Sequence, residues 1–160
     1  MPNYESSELE EAALHARRRA VVGRLFMRAA RVFQEIAVER IRALGYPDYS
    51  IGDNAVLVHL ETGGNRITEL AMRAGVTKQA ISQLVRDLEK RGLVVRAPDP
   101  ADGRAQLVCF TPTGRAMMED AFEVVFALDD EFASLLPDGE LDVVRAHLVT
   151  LLEKLDPQGF

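Results

Sequence analysis

The stretch that most constrains this chain runs from Ile67 to Leu84. With Ile67 counted as position one, Ala71 falls fifth, Gly75 ninth and Ile81 fifteenth. That spacing suits two short helices crossing at a tight turn. The small alanine lets the helices approach, and the glycine supplies a backbone angle that other residues resist. Leu70, Val76, Ile81 and Leu84 supply the apolar contact that sets the crossing angle. Thr68 is placed to cap a helix from Glu69 to about Ala74, and Thr77 a second from Lys78 to Arg91, closed by Gly92.

Two β-rich runs follow, Leu93–Arg96 and Gln106–Phe110, around the turn-rich segment Pro98–Gly103. They read as a hairpin. The expected fold is mostly α: a winged helix-turn-helix with a two-stranded β-wing, flanked by long N- and C-terminal dimerisation helices. From about Glu8 to Leu44, apolar residues recur in steps of four, seven and eight, through Leu14, Val21, Leu25, Val32, Ile36 and Leu44. This predicts an amphipathic helix about 50 Å long at ~1.5 Å per residue. Such a helix exceeds what a small domain needs to cover its own core, so part of its stripe is expected to meet another chain. Ser50 is placed to cap a short helix from Ile51 to Glu61. Thr111-Pro112 opens a long apolar helix to about Leu136, and Asp138 is placed to cap a last one to about Leu155. The expected boundaries are an N-terminal dimerisation region over 1–48, the winged helix-turn-helix over 49–112 and a C-terminal dimerisation region over 113–160.

A formal charge of −6 argues at first against a phosphate backbone as partner. Its distribution reverses that inference. Nine Lys/Arg face five Asp/Glu between Thr62 and Arg115, whereas two face eleven from Ala116 to Phe160. A basic centre beside an acidic arm is a polarised molecule. No run of about eighteen apolar residues suggests a membrane span. No apolar stretch near Met1–Glu11 suggests a secretory leader. The lone Cys109 builds neither an intrachain disulfide nor a thiolate metal site by itself, so the expected location is a reducing cytoplasm.

The second helix of the motif divides into two faces. Ile81, Leu84, Val85 and Leu88 share one side, suited to a core. Gln79, Gln83, Arg86 and Lys90 point the other way, with Ser82 at the edge and Lys78 in the first turn. That outer face reads as amides, hydroxyls and cations, without a carboxylate before Glu89. Amides and Arg can read base edges in a major groove, while Lys and Ser can hold phosphates. Past it, the wing tip offers Arg104, suited to a narrow minor groove. Asp102 would repel phosphate and so needs a structural role, expected to be an ion pair with Arg96 at the hairpin base.

Ile67-Thr-Glu-Leu-Ala, Val76-Thr-Lys-Gln-Ala-Ile-Ser, Leu88-Glu-Lys-Arg-Gly-Leu-Val, Asp102-Gly-Arg104 and Thr111-Pro-Thr-Gly-Arg together resemble the MarR family of bacterial transcriptional regulators. The resemblance implies a winged-helix homodimer bound to a pseudo-palindromic operator on double-stranded DNA, usually as a repressor. It places the wing motif on Asp102 and Arg104, and the recognition face on Thr77, Lys78, Gln79, Ser82, Gln83 and Arg86. One branch of the family senses peroxide through a cysteine in the first helix. This chain has none there, and Cys109 reads as a packed side chain of the second wing strand. Other members bind small aromatic or phenolic effectors between the dimerisation region and the winged helix. Phe26, Phe33, Tyr46, Tyr49, His59, Phe122 and Phe126 are candidates for such a pocket, though aromatics at helical spacing also serve as core.

No cofactor or metal site is expected. His15, His59 and His147 lie far apart, and no phosphate loop or nucleophile elbow is present, so an enzyme is not expected. Glu119, Asp120, Asp129, Asp130 and Glu131 do not converge at such helical spacing. The serious rival is a winged helix that docks protein instead of DNA, but such a face would carry aromatic or aliphatic anchors.

Overall fold

The computed structural model describes residues 21–156. The stretch before Val21 lies outside them, including Met1–Glu11, Leu14 and His15. Two compact units divide between Ile36 and Ala37. Helix α1, Val22–Ala43, crosses that division. In the first unit its Leu25, Phe26, Met27 and Val32 are exposed, and Arg31 pairs with Glu35 at 3.2 Å. In the second unit it buries Ala37 and Ile41 and stops before Gly45, which takes φ +106.

The single helix expected from Ile51 to Glu61 is instead a short 3-10 turn, Ile51–Asp53, and a four-residue α2, Asn54–Leu57. Asp53 Oδ2 accepts the Ser50 N–H at 2.9 Å and holds the entry. Beyond Leu57 the backbone leaves the α-helical repeat, with the His59 N–H on Val56 O at 3.2 Å and the Glu61 N–H on Asn65 Oδ1 at 2.7 Å. Gly64, at φ +80, then passes so close to the wing that a Cβ there would meet Cys109 Sγ at 2.5 Å. Strand β1, Asn65–Arg66, follows.

Helix α3 spans Ile67–Arg73 and begins before the expected start at Glu69. Its free N-terminal donor is satisfied by Glu69 Oε2, which accepts the Arg66 N–H at 3.2 Å, so Arg66 and not Thr68 occupies the cap position. The turn to α4, Lys78–Lys90, uses Gly75 at φ +64, as its spacing predicts. Thr77 caps α4 by accepting the Ala80 N–H at 3.2 Å, and Gly92 closes it at φ +71.

The wing is longer than expected: β2 is Val94–Asp99 and β3 is Asp102–Phe110, so only two residues turn between them. With β1 they form an antiparallel three-stranded sheet in the order β1-β3-β2. Helix α5, Pro112–Ser134, starts where expected. Thr111 Oγ1 accepts the Gly114 N–H at 3.0 Å and donates to Gly92 O at 2.6 Å, tying the end of the wing to α5. A Cβ at Gly114 would lie 1.9 Å from Leu93 O, so only glycine permits this approach. Helix α6, Glu140–Leu155, is capped by a left-handed Gly139 rather than by Asp138. The turn closes with the Glu140 N–H on Pro137 O at 3.0 Å, which leaves Asp138 outside the helix.

The core of the second unit gathers Val56, Leu57, Leu70, Ile81, Val85, Leu88, Val108 and Met117, all under 2% exposed. Three polar side chains are buried beside it: Asp53, Asn65 and Asp99. Arg91 grips Asp53 with two nitrogens, at 3.0 and 2.6 Å, and donates to Asp48 O at 3.0 Å. That pair ties the C-terminal end of α4 to the start of α2. Proximity to Asp53 raises the already high pKa of the Arg91 guanidinium.

Candidate nucleic-acid interface

Helix α4 is divided as its pattern predicts. Ile81, Val85 and Leu88 are buried, and Leu84 packs half-buried against the same core. Lys78, Gln79, Gln83, Arg86 and Lys90 are exposed. Two members of the expected contact set have other employment within the chain. Thr77 caps its own helix, and Ser82, half-buried, donates its hydroxyl to Lys78 O at 2.7 Å.

The expectation of a face without a carboxylate before Glu89 is corrected. Asp87 lies one turn beyond Gln83 and accepts its side-chain amide at 2.9 Å and the Lys90 ammonium at 3.2 Å. Gln83 Oε1 in turn accepts from Arg86 at 2.5 Å. The i, i+3 and i, i+4 spacings bring these side chains together on the helix surface. The Gln83 amide, then Lys90, holds the Asp87 carboxyl below the usual range. Gln83 and Arg86 are therefore a coupled pair, while Gln79 has no such tie to them.

The wing carries an irregularity that determines where Arg104 stands. Pro98 pairs with Gln106, but the next residue, Asp99, pairs with Asp102. Gly103, Arg104 and Ala105 thus bulge out of β3, a device that re-aims a side chain. Arg104 is exposed at its centre. Asp102 Oδ1 accepts the Arg104 N–H at 3.1 Å, and Asp99 Oδ1 accepts the Ala101 N–H at 2.8 Å.

Arg96 does not pair with Asp102. It lies opposite Val108, three positions down β2 from Asp99, or about 10 Å at ~3.3 Å per residue. Its own contact is with Glu89 of α4 at 3.4 Å. The cation that pairs with the wing-tip carboxylates is Arg66 of β1. Its Nε donates to Asp99 Oδ2 at 2.7 Å, and its Nη2 lies 2.5 Å from Asp99 and 3.5 Å from Asp102. The Ala101 N–H, then Arg66, holds the Asp99 carboxyl below its ordinary value. Sequence reasoning missed Arg66, although two acidic residues beside the exposed Arg104 were a signal that a cation was needed.

Between wing and helix lies an open cleft of about 520 Å³, walled by Arg66, Lys78, Arg104, Pro98 and Gln106 among others. Amides and cations on one helix face, a basic cleft and a projecting arginine form a surface suited to the grooves and phosphates of a duplex.

Of the aromatic candidates in the second unit, Tyr46 and Tyr49 share one cavity. Tyr49 is a core residue, 5% exposed, with its hydroxyl on Asn54 Oδ1 at 2.6 Å. Tyr46 donates to Asp120 Oδ2 at 2.5 Å. These two line a cavity of about 290 Å³ with Asp48, Arg91, Thr113 and Met117, in which neither His59 nor Phe122 takes part. His59 is half-buried beside α2. Phe122 is exposed and stacks on Phe126, centroids 6.4 Å apart. Phe26 belongs to the first unit, where it is exposed.

A helix-turn-helix followed by a hairpin whose bulge thrusts an arginine outward is a winged helix. The MarR family model matches residues 55–105 of this chain, from α2 to the wing bulge. The chain is similar to the HTH-type transcriptional repressor Rv2887 of Mycobacterium tuberculosis, 38% identical over 69 residues, which are 43% of this chain and 50% of that one. The chain spans about half the length of the curated relatives it matches. Among solved structures it is similar to CouR from Rhodococcus jostii RHA1 bound to p-coumaroyl-CoA. That likeness has a TM-score of 0.70 and 28% identity, and covers 88% of this chain and 95% of that one. A MarR-family transcriptional regulator from Rhodococcus sp. RHA1 is likewise 28% identical, with a TM-score of 0.68, over 87% of this chain and 95% of that one. The relatives are transcriptional regulators, and no enzymatic family is indicated.

Proposed function

We propose that this chain is a sequence-specific double-stranded DNA-binding repressor that grips a pseudo-palindromic operator as a homodimer in the cytoplasm. The observation that carries the reading is the outward face of α4, with Lys78, Gln79, Gln83 and Arg86 exposed beside the Arg104 bulge. In this reading Gln79 and Gln83 meet base edges, Lys78 and Arg86 meet phosphates or guanines, and Arg104 enters the minor groove. Thr77 and Ser82 shape the helix start, where free backbone donors face a phosphate. No aromatic side chain stands on that face, which disfavours a protein-docking module.

Residues 1–48 and 113–160 act as the dimerisation regions around the 49–112 DNA-binding domain. Supporting this, α6 buries none of its residues although Val143, Val144, Leu151, Leu152 and Leu155 lie along it. Two recognition helices related by symmetry would enter successive major grooves, about one turn or ~34 Å apart. CouR, similar in fold, binds an aromatic thioester, which supports a small aromatic or phenolic effector here. Tyr46 and Tyr49 line the 290 Å³ cavity, which supports them as effector contacts.

The test is selection of bound duplexes from a random pool at stated salt. Enrichment of a two-fold motif with half-sites ~10 bp apart is the expected result. Recovery of no enriched duplex would overturn the reading.

A further inference from the structure

One guanidinium holds both residues that bracket the wing turn. Arg66 reaches Asp99 at the end of β2 and Asp102 at the start of β3. Those two carboxylates in turn accept the N–H groups of Ala101 and Arg104, the turn and the bulge. From this geometry we infer that Arg66 is a positioning residue for DNA binding: it offsets one of the two wing carboxylate charges and fixes the bulge, so that the tip carrying Arg104 meets phosphate neutral instead of net negative. The inference rests on the DNA-binding reading above and adds to it a residue outside the recognition helix and the wing.

The charges make the role specific. Without Arg66, Arg104 stands as the lone cation against two carboxylates at the tip. The nearest members of the cleft wall leave only Lys78 across the gap to offset them. Asp99 is 7% exposed, so little water is available to screen it. A wing that is net negative would repel the backbone that it has to approach. Arg66 comes from β1, whose pairing with β3 sets its place: Arg66 lies opposite Leu107, next to the bulge. The strand is only two residues long, yet among the described residues it delivers the one side chain in contact with both carboxylates.

The test uses the full chain and the duplex enriched from the random pool, with affinity measured across a salt series. Arg66→Gln should weaken binding about tenfold. Adding Asp99→Asn and Asp102→Asn to that variant should restore most of the loss, because asparagine keeps the oxygen that accepts each N–H and removes the charge. No loss in Arg66→Gln overturns the inference. So does a loss that the asparagines leave in place, since that result marks either a direct phosphate contact or a wing held by the ion pair alone. Amide exchange without DNA gives a separate readout. Arg66→Gln should speed exchange at Ala101 and Arg104, and unchanged protection there would overturn the fixing role. If the wild-type chain enriches no duplex, the DNA reading itself fails and the inference falls with it. That outcome is distinct from a wild type that binds and an Arg66→Gln that binds equally well.

Discussion

The winged helix and the helices outside it solve the burial problem in opposite ways. Helix α4 turns Ile81, Val85 and Leu88 into a core made by its own neighbours and leaves polar groups outside. Helix α6, of similar length, buries nothing and leaves Leu151 and Leu152 over 40% exposed and Leu155 79% exposed. Apolar surface in contact with water costs about 25 cal/mol per Å² relative to burial. A helix carrying so much of it gains little from burial within this chain. The first region is complete in itself, whereas the second leaves an apolar face uncovered, as the proposed dimer requires. Exposed apolar area of this kind marks an interface, whereas exposed amides and cations mark a polar ligand.

The sharpest way to break this contrast is Leu152→Asp. A charge in the proposed interface should yield a particle of 17.7 kDa by light scattering, where the wild type gives twice that mass. Operator affinity should fall more than ~100-fold, because linked half-sites no longer share one binding event. A wild type that runs as a monomer, or a variant that stays dimeric, would remove the distinction. Next in size is Asp53→Ala, inside the self-sufficient region. It leaves the Arg91 guanidinium half-enclosed without its partner and should cost about 3 kcal/mol in denaturant unfolding. A change below 1 kcal/mol would mean that α4 is held by its apolar face alone.

Smaller effects separate the two kinds of DNA contact. Gln79→Ala should relax base preference at one position for a cost of ~1–3 kcal/mol, and Arg104→Ala should lower the salt slope by about one. Gln79 is a cleaner probe than Gln83, whose removal also frees Arg86 and Asp87. Equal base preference in Gln79→Ala, or an unchanged slope in Arg104→Ala, would delete that residue from the contact set. The smallest effect concerns pH. Asp99 is held below its ordinary value by the Ala101 N–H and Arg66, so its folded form binds fewer protons than the unfolded chain. Its contribution is complete above about pH 4 and disappears as pH falls through the lower folded value. The Ala101 amide resonance should therefore be flat from pH 8 to 5 and move only below ~4. Movement at neutral pH would detach it from Asp99.

The successes and failures of sequence reading follow the range of the interactions involved. Thr77, Gly75, Gly92 and Thr111 were legible because a cap or turn is decided within about four residues. The two faces of α4 were legible because helical period is local as well. Asp87 was overlooked, although its i+4 relation to Gln83 is equally local. Thr68 and Asp138 each suit a cap by type. The ends went instead to Arg66, where Glu69 supplied the acceptor, and to Gly139, where the turn required a left-handed residue. The aromatic candidates could be named, but their grouping into one pocket depended on distances that residue type does not encode.

By itself, the amino-acid order determined the helix-turn-helix, its solvent-facing polar side and the hairpin after it, because periodicity and turn chemistry act between near neighbours. Only the tertiary structure decided which cation serves the wing. Arg66 lies 36 residues before Asp102 in the chain, yet strand pairing sets it against Asp99 and Asp102, and it carries Arg96 to Glu89 instead. Ion pairs follow proximity in space, and proximity between distant segments exists only after the sheet has formed.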